Sequence, residues 1–334
     1  MRLSRATPLR PLASILCLAA CVLGCDPIEP HPDQSRFDEL CGEFLAWYLE
    51  LDPVRATELG VHDWDDRLPD VGAAAIETVA AEWRDWLARL EAIPRASLEG
   101  HAYYDHRILE YGIRAALLEL EEVRTWRRDP NFYNSLAARG AAALIDRQFA
   151  TLPFRADALR ARLAQFPRLF EAARENLDDV PRVWVDLALR NVAGTASFLS
   201  NDVPQALRLQ GLDRLDADLF AAVLEEIDRA VEETQRFEAW LRDDLAPRAA
   251  GDFRLGADLF RRKLLYEEHF DVDVEALREM NDAAIADYRT WVEREARALD
   301  ESLPAKDVMA KITAEFPASD ELIETASRFV EQAR

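Results

Sequence analysis

Glycine is scarce in this sequence, at 11 residues in 334, well below the usual share of roughly 7%. Few glycines mean few tight turns, which argues against a β-sandwich, a barrel or a nucleotide-binding sheet with its glycine loop. Lysine is scarcer still, with Lys263, Lys306 and Lys311 the only three. The positive charge is therefore nearly all arginine, interspersed with aspartate and glutamate, a compositional bias and not a phosphate-binding device. The five histidines are His31, His62, His101, His106 and His269. No two stand four apart, so a two-histidine zinc face cannot form on one helix. GxSxG, GxxxxGK[ST], GxGxxG and HExxH are all missing, and each absence removes a class of chemistry.

What is present is charge and apolar bulk. The net charge is −22 with 31% charged residues, a field that repels nucleic acid and anionic lipid. Hydrophobic residues make up 49%, enough for a large core in one big domain or two fused helical lobes.

The start of the chain is a targeting segment. Met1 to Arg10 carries Arg2, Arg5 and Arg10 and no acid, and an apolar run from Leu12 to Cys25 follows. A basic start and a run this short make a secretory signal, not a membrane span. The run ends in small residues before cysteine, the pattern of a bacterial lipoprotein whose cysteine thiol is lipidated. Cys25, after Val22-Leu-Gly, leaves a polar start at Asp26 and is preferred; Cys21, after Leu18-Ala-Ala, is the alternative. The expected organisation is a signal peptide over 1–25, a proline-rich tether over 26–34 with Pro27, Pro30 and Pro32, and a helical domain over 35–334. The expected location is the bacterial cell envelope, exported and held to the membrane by the lipid anchor. Cys17 also falls in the signal, which leaves Cys41 alone, unable to make an internal disulfide and placed near a buried helical stripe.

From residue 35 onward, apolar residues recur at steps of three and four. Phe37, Leu40, Phe44, Trp47 and Leu51 form one stripe; Ile76, Val79, Trp83, Trp86 and Leu90 form the next. Leu159 to Leu177, Phe220 to Leu241, and Leu277 to Leu299 continue the pattern. Each predicts an amphipathic helix. Asp52-Pro53 predicts an N-cap with proline at the first helical position, Ser319 predicts another cap, and Pro167 inside its stripe predicts a kink near Gln165. The fold class is all-α: a multi-helix bundle of roughly ten helices.

Three polar clusters are candidates for chemistry. His62-Asp-Trp-Asp-Asp-Arg-Leu-Pro-Asp70 could hold a cation, but lacks the glycine and closing glutamate of an EF-hand loop and reads as a solvated turn. His101 and Asp105 lie one turn apart beside His106, and could share a proton or a metal; a local polar contact is the simpler reading. Glu267-Glu-His269 with Asp271 and Asp273 sits where one helix ends and another begins, a place for caps. None of them supports a catalytic or metal-binding assignment, and no cofactor is expected in this chain.

The order of several segments resembles the bacterial family catalogued as domain of unknown function 885. Asp52-Pro-Val-Arg-Ala-Thr-Glu-Leu-Gly-Val-His62 is similar to its P-x-x-A-T-x-L-G stretch, followed by an Asp-rich loop closing on Leu68-Pro-Asp70. Asp129-Pro-Asn-Phe-Tyr133, Ala172-Ala-Arg-Glu-Asn-Leu177, and Leu255-Gly-Ala-Asp-Leu-Phe260 ahead of Val274-Glu-Ala-Leu277 follow in order. The resemblance runs from about Ser35 to Arg334. It implies a neurolysin-like helical cleft, of which this chain supplies the N-terminal part. It also implies a zinc site on a His-Glu-rich helix in a longer C-terminal half, where two histidines would hold zinc and the glutamate would activate water. No position of this chain matches those ligands, so the chain is expected to be truncated before them.

The expected function is the N-terminal helical part of a membrane-anchored, zinc-metallopeptidase-like protein, its partners a membrane through the anchor and a peptide substrate. The alternative is a non-catalytic helical envelope lipoprotein serving as a binding or structural module. A zinc-free helical enzyme using an Asp/Glu pair is a third reading, for which spacing offers no discrimination.

Overall fold

The computed structural model describes residues 32–334. Cys21, Cys25, the signal segment and the first part of the tether therefore lie outside the described residues. Among those described there is no strand, and the all-α expectation holds. No helix among them is long and apolar enough to cross a membrane. The chain divides into two compact units, one running to Gly256 and including Tyr266–His269, the other formed by Ala257–Leu265 and Phe270–Arg334.

The first unit opens with α1 (Pro32–Leu51). This helix takes in the last three residues of the expected tether. Proline is tolerated at a helix start because its missing N–H would have been unpaired there. Asp33 pairs with Arg36 at 2.9 Å and Gln34 donates to Asp38 at 3.0 Å, so the first turn carries its own i,i+3 and i,i+4 links. After α2 (Pro53–Leu59), α3 (Ala73–Glu91) and α4 (His101–Leu118) pack with α1. Their apolar stripes meet in one cluster of Phe37, Leu40, Trp83, Trp86, Leu90 and Ile113. Trp47 and Trp83 meet edge to face at 4.9 Å, a favoured geometry for aromatic quadrupoles.

A π turn over Glu119–Val123 leads into α5 (Thr125–Arg128) and α6 (Pro130–Asp146). Then come α7 (Leu152–Leu163), α8 (Phe166–Asn176), α9 (Arg182–Ser197), α10 (Val203–Leu209), α11 (Leu212–Leu215), α12 (Ala217–Trp240) and α13 (Ala246–Arg248). Helix α12 lies against α7, α8 and α9, and α6 against α7 and α9. The resulting core fully buries Tyr133, Leu159, Leu163, Phe166, Phe170 and Phe237. Removing each such side chain from water contributes roughly 1.5–3 kcal/mol.

The chain is cut more finely than roughly ten helices, for identifiable reasons. π turns at Glu119–Val123, Phe198–Asp202 and Leu241–Leu245 separate helical segments, the last of them beginning where the Phe220 to Leu241 stripe ends. At Pro167 the expected kink is a full break: α7 stops at Leu163 and α8 starts at Phe166 with proline in its first turn. Proline removes one backbone donor and its ring clashes with the preceding turn. Gln165, at the break, is held by other bonds described below.

The second unit contains α14 from Ala257, α15 (Val274–Leu299), α16 (Ala305–Ala314) and α17 (Leu322–Gln332). Helices α15 and α16 pack together, and Ala296 and Val308 are its buried residues. Helix α17 starts at Leu322, so Ser319 belongs to the preceding turn instead of capping it.

Candidate functional site

The Asp52 to Asp70 segment forms a buried polar staple. Asp52 accepts from the Arg55 N–H at 3.0 Å and Pro53 opens the helix, as expected of an N-cap. Gly60 ends α2 at φ 89°, a left-handed conformation that glycine adopts without cost. Ala56 and Thr57 are wholly buried. The Thr57 hydroxyl lies 2.5 Å from Asp65 Oδ1 and 3.0 Å from the Pro53 carbonyl, and accepts from Arg162 at 2.6 Å. Arg162 also donates to the carbonyls of Gly140 at 3.0 Å and Pro53 at 3.2 Å. Burial pulls the Arg162 guanidinium down to about 10, against nearby carboxylates that favour its charge; at neutral pH it remains a cation. Gly140 makes room for Leu68: a Cβ there would sit 2.7 Å from Leu68 Cδ2.

The loop following α2 is a turn with Asp63, Asp66 and Asp70 exposed, as expected, but Asp65 within it is buried. Asp65 is 2% exposed and pairs with His62 Nδ1 at 3.1 Å, and His62 stacks on Phe149 with centroids 3.6 Å apart. Gln165, freed from helix by Pro167, donates to the Asp66 carbonyl at 2.8 Å and accepts from Leu68 N–H at 3.0 Å. Buried polar groups must be paired, and this loop pairs them by recruiting residues a hundred positions away. Arg162 was missed because it lies in a stretch read only for its apolar stripe. Its signal was a charged residue wedged between Leu159 and Leu163.

The other clusters also resolve into structural roles. His106 is buried and its Nε2 lies 3.2 and 3.1 Å from the carbonyls of Leu90 and Ile93, binding the open end of α3. His101 and Asp105 are exposed on the other side of α4. His269 lies against Tyr111, centroids 5.2 Å apart, at φ 56°. In the second unit Asp273 caps α15, accepting from Glu275 and Ala276, and Asp271 is 3.6 Å from Arg261. Cys41 is half-buried, its thiol pushed up to about 11, by burial first and then by Asp38 and Asp105. That is the state of an inert thiol. Among the described residues no group of three His, Cys, Asp or Glu could hold a metal ion, so they do not fit a zinc site.

The feature best shaped for a ligand is an apolar cleft of about 500 Å³ in the first unit, within the range of ordinary ligand pockets. Tyr48, Ile76, Trp83 and Leu120 line it with Trp126 and Phe132, between the two apolar clusters. A second network holds its rim. The Tyr133 hydroxyl donates to the Trp126 carbonyl at 2.6 Å, and Asn176 donates to Tyr133 at 2.9 Å and to the Val71 carbonyl at 2.8 Å. Burial raises the Tyr133 phenol, so it stays a donor. The carboxylates at the cleft are committed to the backbone: Asp52 to Arg55, Asp70 to Gly72 at 3.0 Å, and Glu119 to Thr125 at 3.1 Å. The cleft can hold an apolar group firmly, and carries no nucleophile–base pair among the described residues.

No curated protein matches the chain. A solved structure of a proposed lipoprotein of unknown function from Shewanella oneidensis is similar to it, with TM-score 0.70 at 20% identity. The match covers 89% of this chain and 56% of that one, so the chain spans little more than half of that protein. At this identity the likeness establishes the fold. The profile of the family described as a bacterial protein of unknown function (DUF885) matches residues 53–334, beginning at the proline that opens the Thr57 staple. This chain belongs to that family.

Proposed function

We propose that this chain forms one helical wall of a membrane-tethered, metallopeptidase-like envelope protein, and that its apolar cleft receives an apolar side chain of a peptide. The cleft carries the reading. It is preformed, aromatic-lined and large enough for a Phe- or Leu-sized group, and its rim is fixed by the Tyr133–Asn176 network. The exposed apolar residues of α15 and α17 give a second support, because such faces mark surfaces built to be covered. Any zinc would be held by residues other than those described, in a longer product. The anchor would be the lipidated Cys25, or Cys21.

The test uses the product of the native gene, recovered from the host's membranes. Stoichiometric zinc together with cleavage of a peptide library supports the reading. Trp83→Ala and Phe132→Ala should then weaken binding of peptides with bulky apolar side chains. A product that holds no zinc and binds no peptide overturns it in favour of a non-catalytic binding or structural lipoprotein. Loss of labelling by a fatty-acid analogue in Cys25→Ser, retained in Cys21→Ser, assigns the anchor.

A further inference from the structure

A second cavity in the first unit, about 440 Å³ in volume, has walls of a different chemistry. Four arginines and four acidic residues line it, with no apolar side chain among them. Three chain segments meet there and are tied by backbone bonds. The Asp178 N–H donates to the Arg127 carbonyl at 2.8 Å, and the Gly251 N–H donates to the Val180 carbonyl at 3.1 Å. Gly251 is required: a Cβ would fall 2.0 Å from the Asp179 carbonyl oxygen.

Two residues of the lining are held in left-handed backbone conformation, Arg124 at φ 55° and Asp179 at φ 52°. Non-glycine residues resist this region, and such outliers concentrate at functional sites. Arg124 gets there because the π turn ends on it, its N–H bonding the Glu119 carbonyl at 2.8 Å. That turn, followed by α5, places Arg124, Arg127 and Arg128 at i, i+3 and i+4.

The charges are unequally spent. Arg127 pairs with Asp178 at 3.3 Å and Arg254 with Asp252 at 2.7 Å. Arg128 instead donates to the backbone carbonyl of Asp252, and its buried Nε has no partner. Arg124 donates through Nε to the Glu121 carbonyl at 2.5 Å. Both guanidiniums thus spend donors on neutral carbonyls. An arginine fork with unused N–H groups matches the planar edge of an oxyanion.

We propose that this cavity binds the oxyanion group of a small ligand, a carboxylate or a phosphate, between Arg124 and Arg128. Asp252 sets the affinity, because its carboxylate competes for the same positive charge. The site shares the π turn Glu119–Val123 and α5 with the apolar cleft, but it does not depend on the peptidase reading.

The experiment is calorimetric titration of the purified full-length chain at low ionic strength with inorganic phosphate, and separately with succinate. Saturable one-to-one binding of either is expected, and the better ligand identifies the group. Arg128→Gln should weaken it about tenfold or more, the loss expected for a charge-assisted hydrogen bond, and Arg128→Lys should recover only part. Asp252→Asn should tighten binding several-fold. A merely structural ion-pair network predicts the reverse, loss of order and no gain, so this variant decides the matter even if Arg128→Gln misfolds. Absence of saturable binding by both anions in the parent chain, or no tightening in Asp252→Asn, overturns the proposal.

Discussion

Phe237 and Trp291 each sit on an amphipathic helix among regularly spaced apolar neighbours. Phe237 on α12 is fully buried and stacks on Phe170 with centroids 4.5 Å apart. Trp291 on α15 is half exposed, and Met280, Tyr288, Phe329 and Val330 elsewhere in the second unit are more than half exposed. Periodicity is the same in both places; burial is not. A stripe becomes a core only where enough other stripes face it. The first unit brings α6, α7, α8, α9 and α12 together, while the second buries only Ala296 and Val308. Helix formation is thus written locally, whereas stability is collective.

The largest effect that would break this comparison is in the first unit's core. Phe237→Ala should cost about 3–5 kcal/mol, the range for deleting a buried aromatic ring and leaving a cavity, in denaturant unfolding of the full chain. Trp291→Ala should cost less than about 1 kcal/mol, as substitutions at half-exposed positions do. Equal losses would mean that the second unit is as tightly built as the first. Amide exchange sharpens the contrast: protection should be high on α12 and low on α15 and α17.

Next in size is the polar staple. Thr57→Val keeps the shape and removes the hydroxyl that joins Arg162 to Asp65. Leaving two buried charged groups short of a partner should cost about 2–4 kcal/mol. A neutral result in the same unfolding measurement would show that water replaces the hydroxyl.

The staple also shows what could be read from the chain alone. The cap at Asp52-Pro53 and the apolar faces are local events, and both were legible. The burial of Asp65 was not, because it depends on Arg162 and on Gln165, about a hundred residues downstream. A run of four acids and an imidazole looks solvated until a distant guanidinium is placed behind it. The break at Gln165 was half visible: proline announced an interruption, but its depth was decided by the loop that Gln165 holds. The arginine cavity was invisible for the same reason. Arg124, Arg127 and Arg128 stand out in sequence, yet Asp178 and Asp252 reach them only through the fold, and interspersed acids had argued against an anion site.

A smaller effect concerns the second unit's surface. Ile323 and Phe329 are 81% and 60% exposed on α17, large apolar side chains left open to water. The double change Ile323→Ser with Phe329→Ser should raise the solubility of the full chain and lower its binding of an apolar dye. The unfolding transition of the Phe237 core should stay where it was. If dye binding is unchanged, the exposed faces of this unit lie elsewhere.

The smallest expected effect tests an exposed ion pair that joins α2 to α6. Arg139 grips Glu58 with both prongs, at 2.9 and 2.7 Å, and Arg55 adds a weaker contact at 3.4 Å. The hydrogen bonds from Arg139 hold the Glu58 carboxyl below its ordinary value of 4.5. A carboxylate with a depressed folded pKa stabilises the fold above the unfolded value and loses that contribution as pH falls through the folded one. Wild type should therefore exceed Glu58→Gln in melting temperature at neutral pH, and the gap should close from about pH 5 downward. The Arg139 side chain is 45% exposed, so water and salt screen the pair, and the gap should be about 1 kcal/mol or less. It should also narrow in high salt, where the Debye length shrinks. The bonds of Thr57, the residue just before Glu58 but wholly buried, should be indifferent to salt. A Glu58 effect that grows with salt would mean that the side chain acts by packing on α6 instead of by charge.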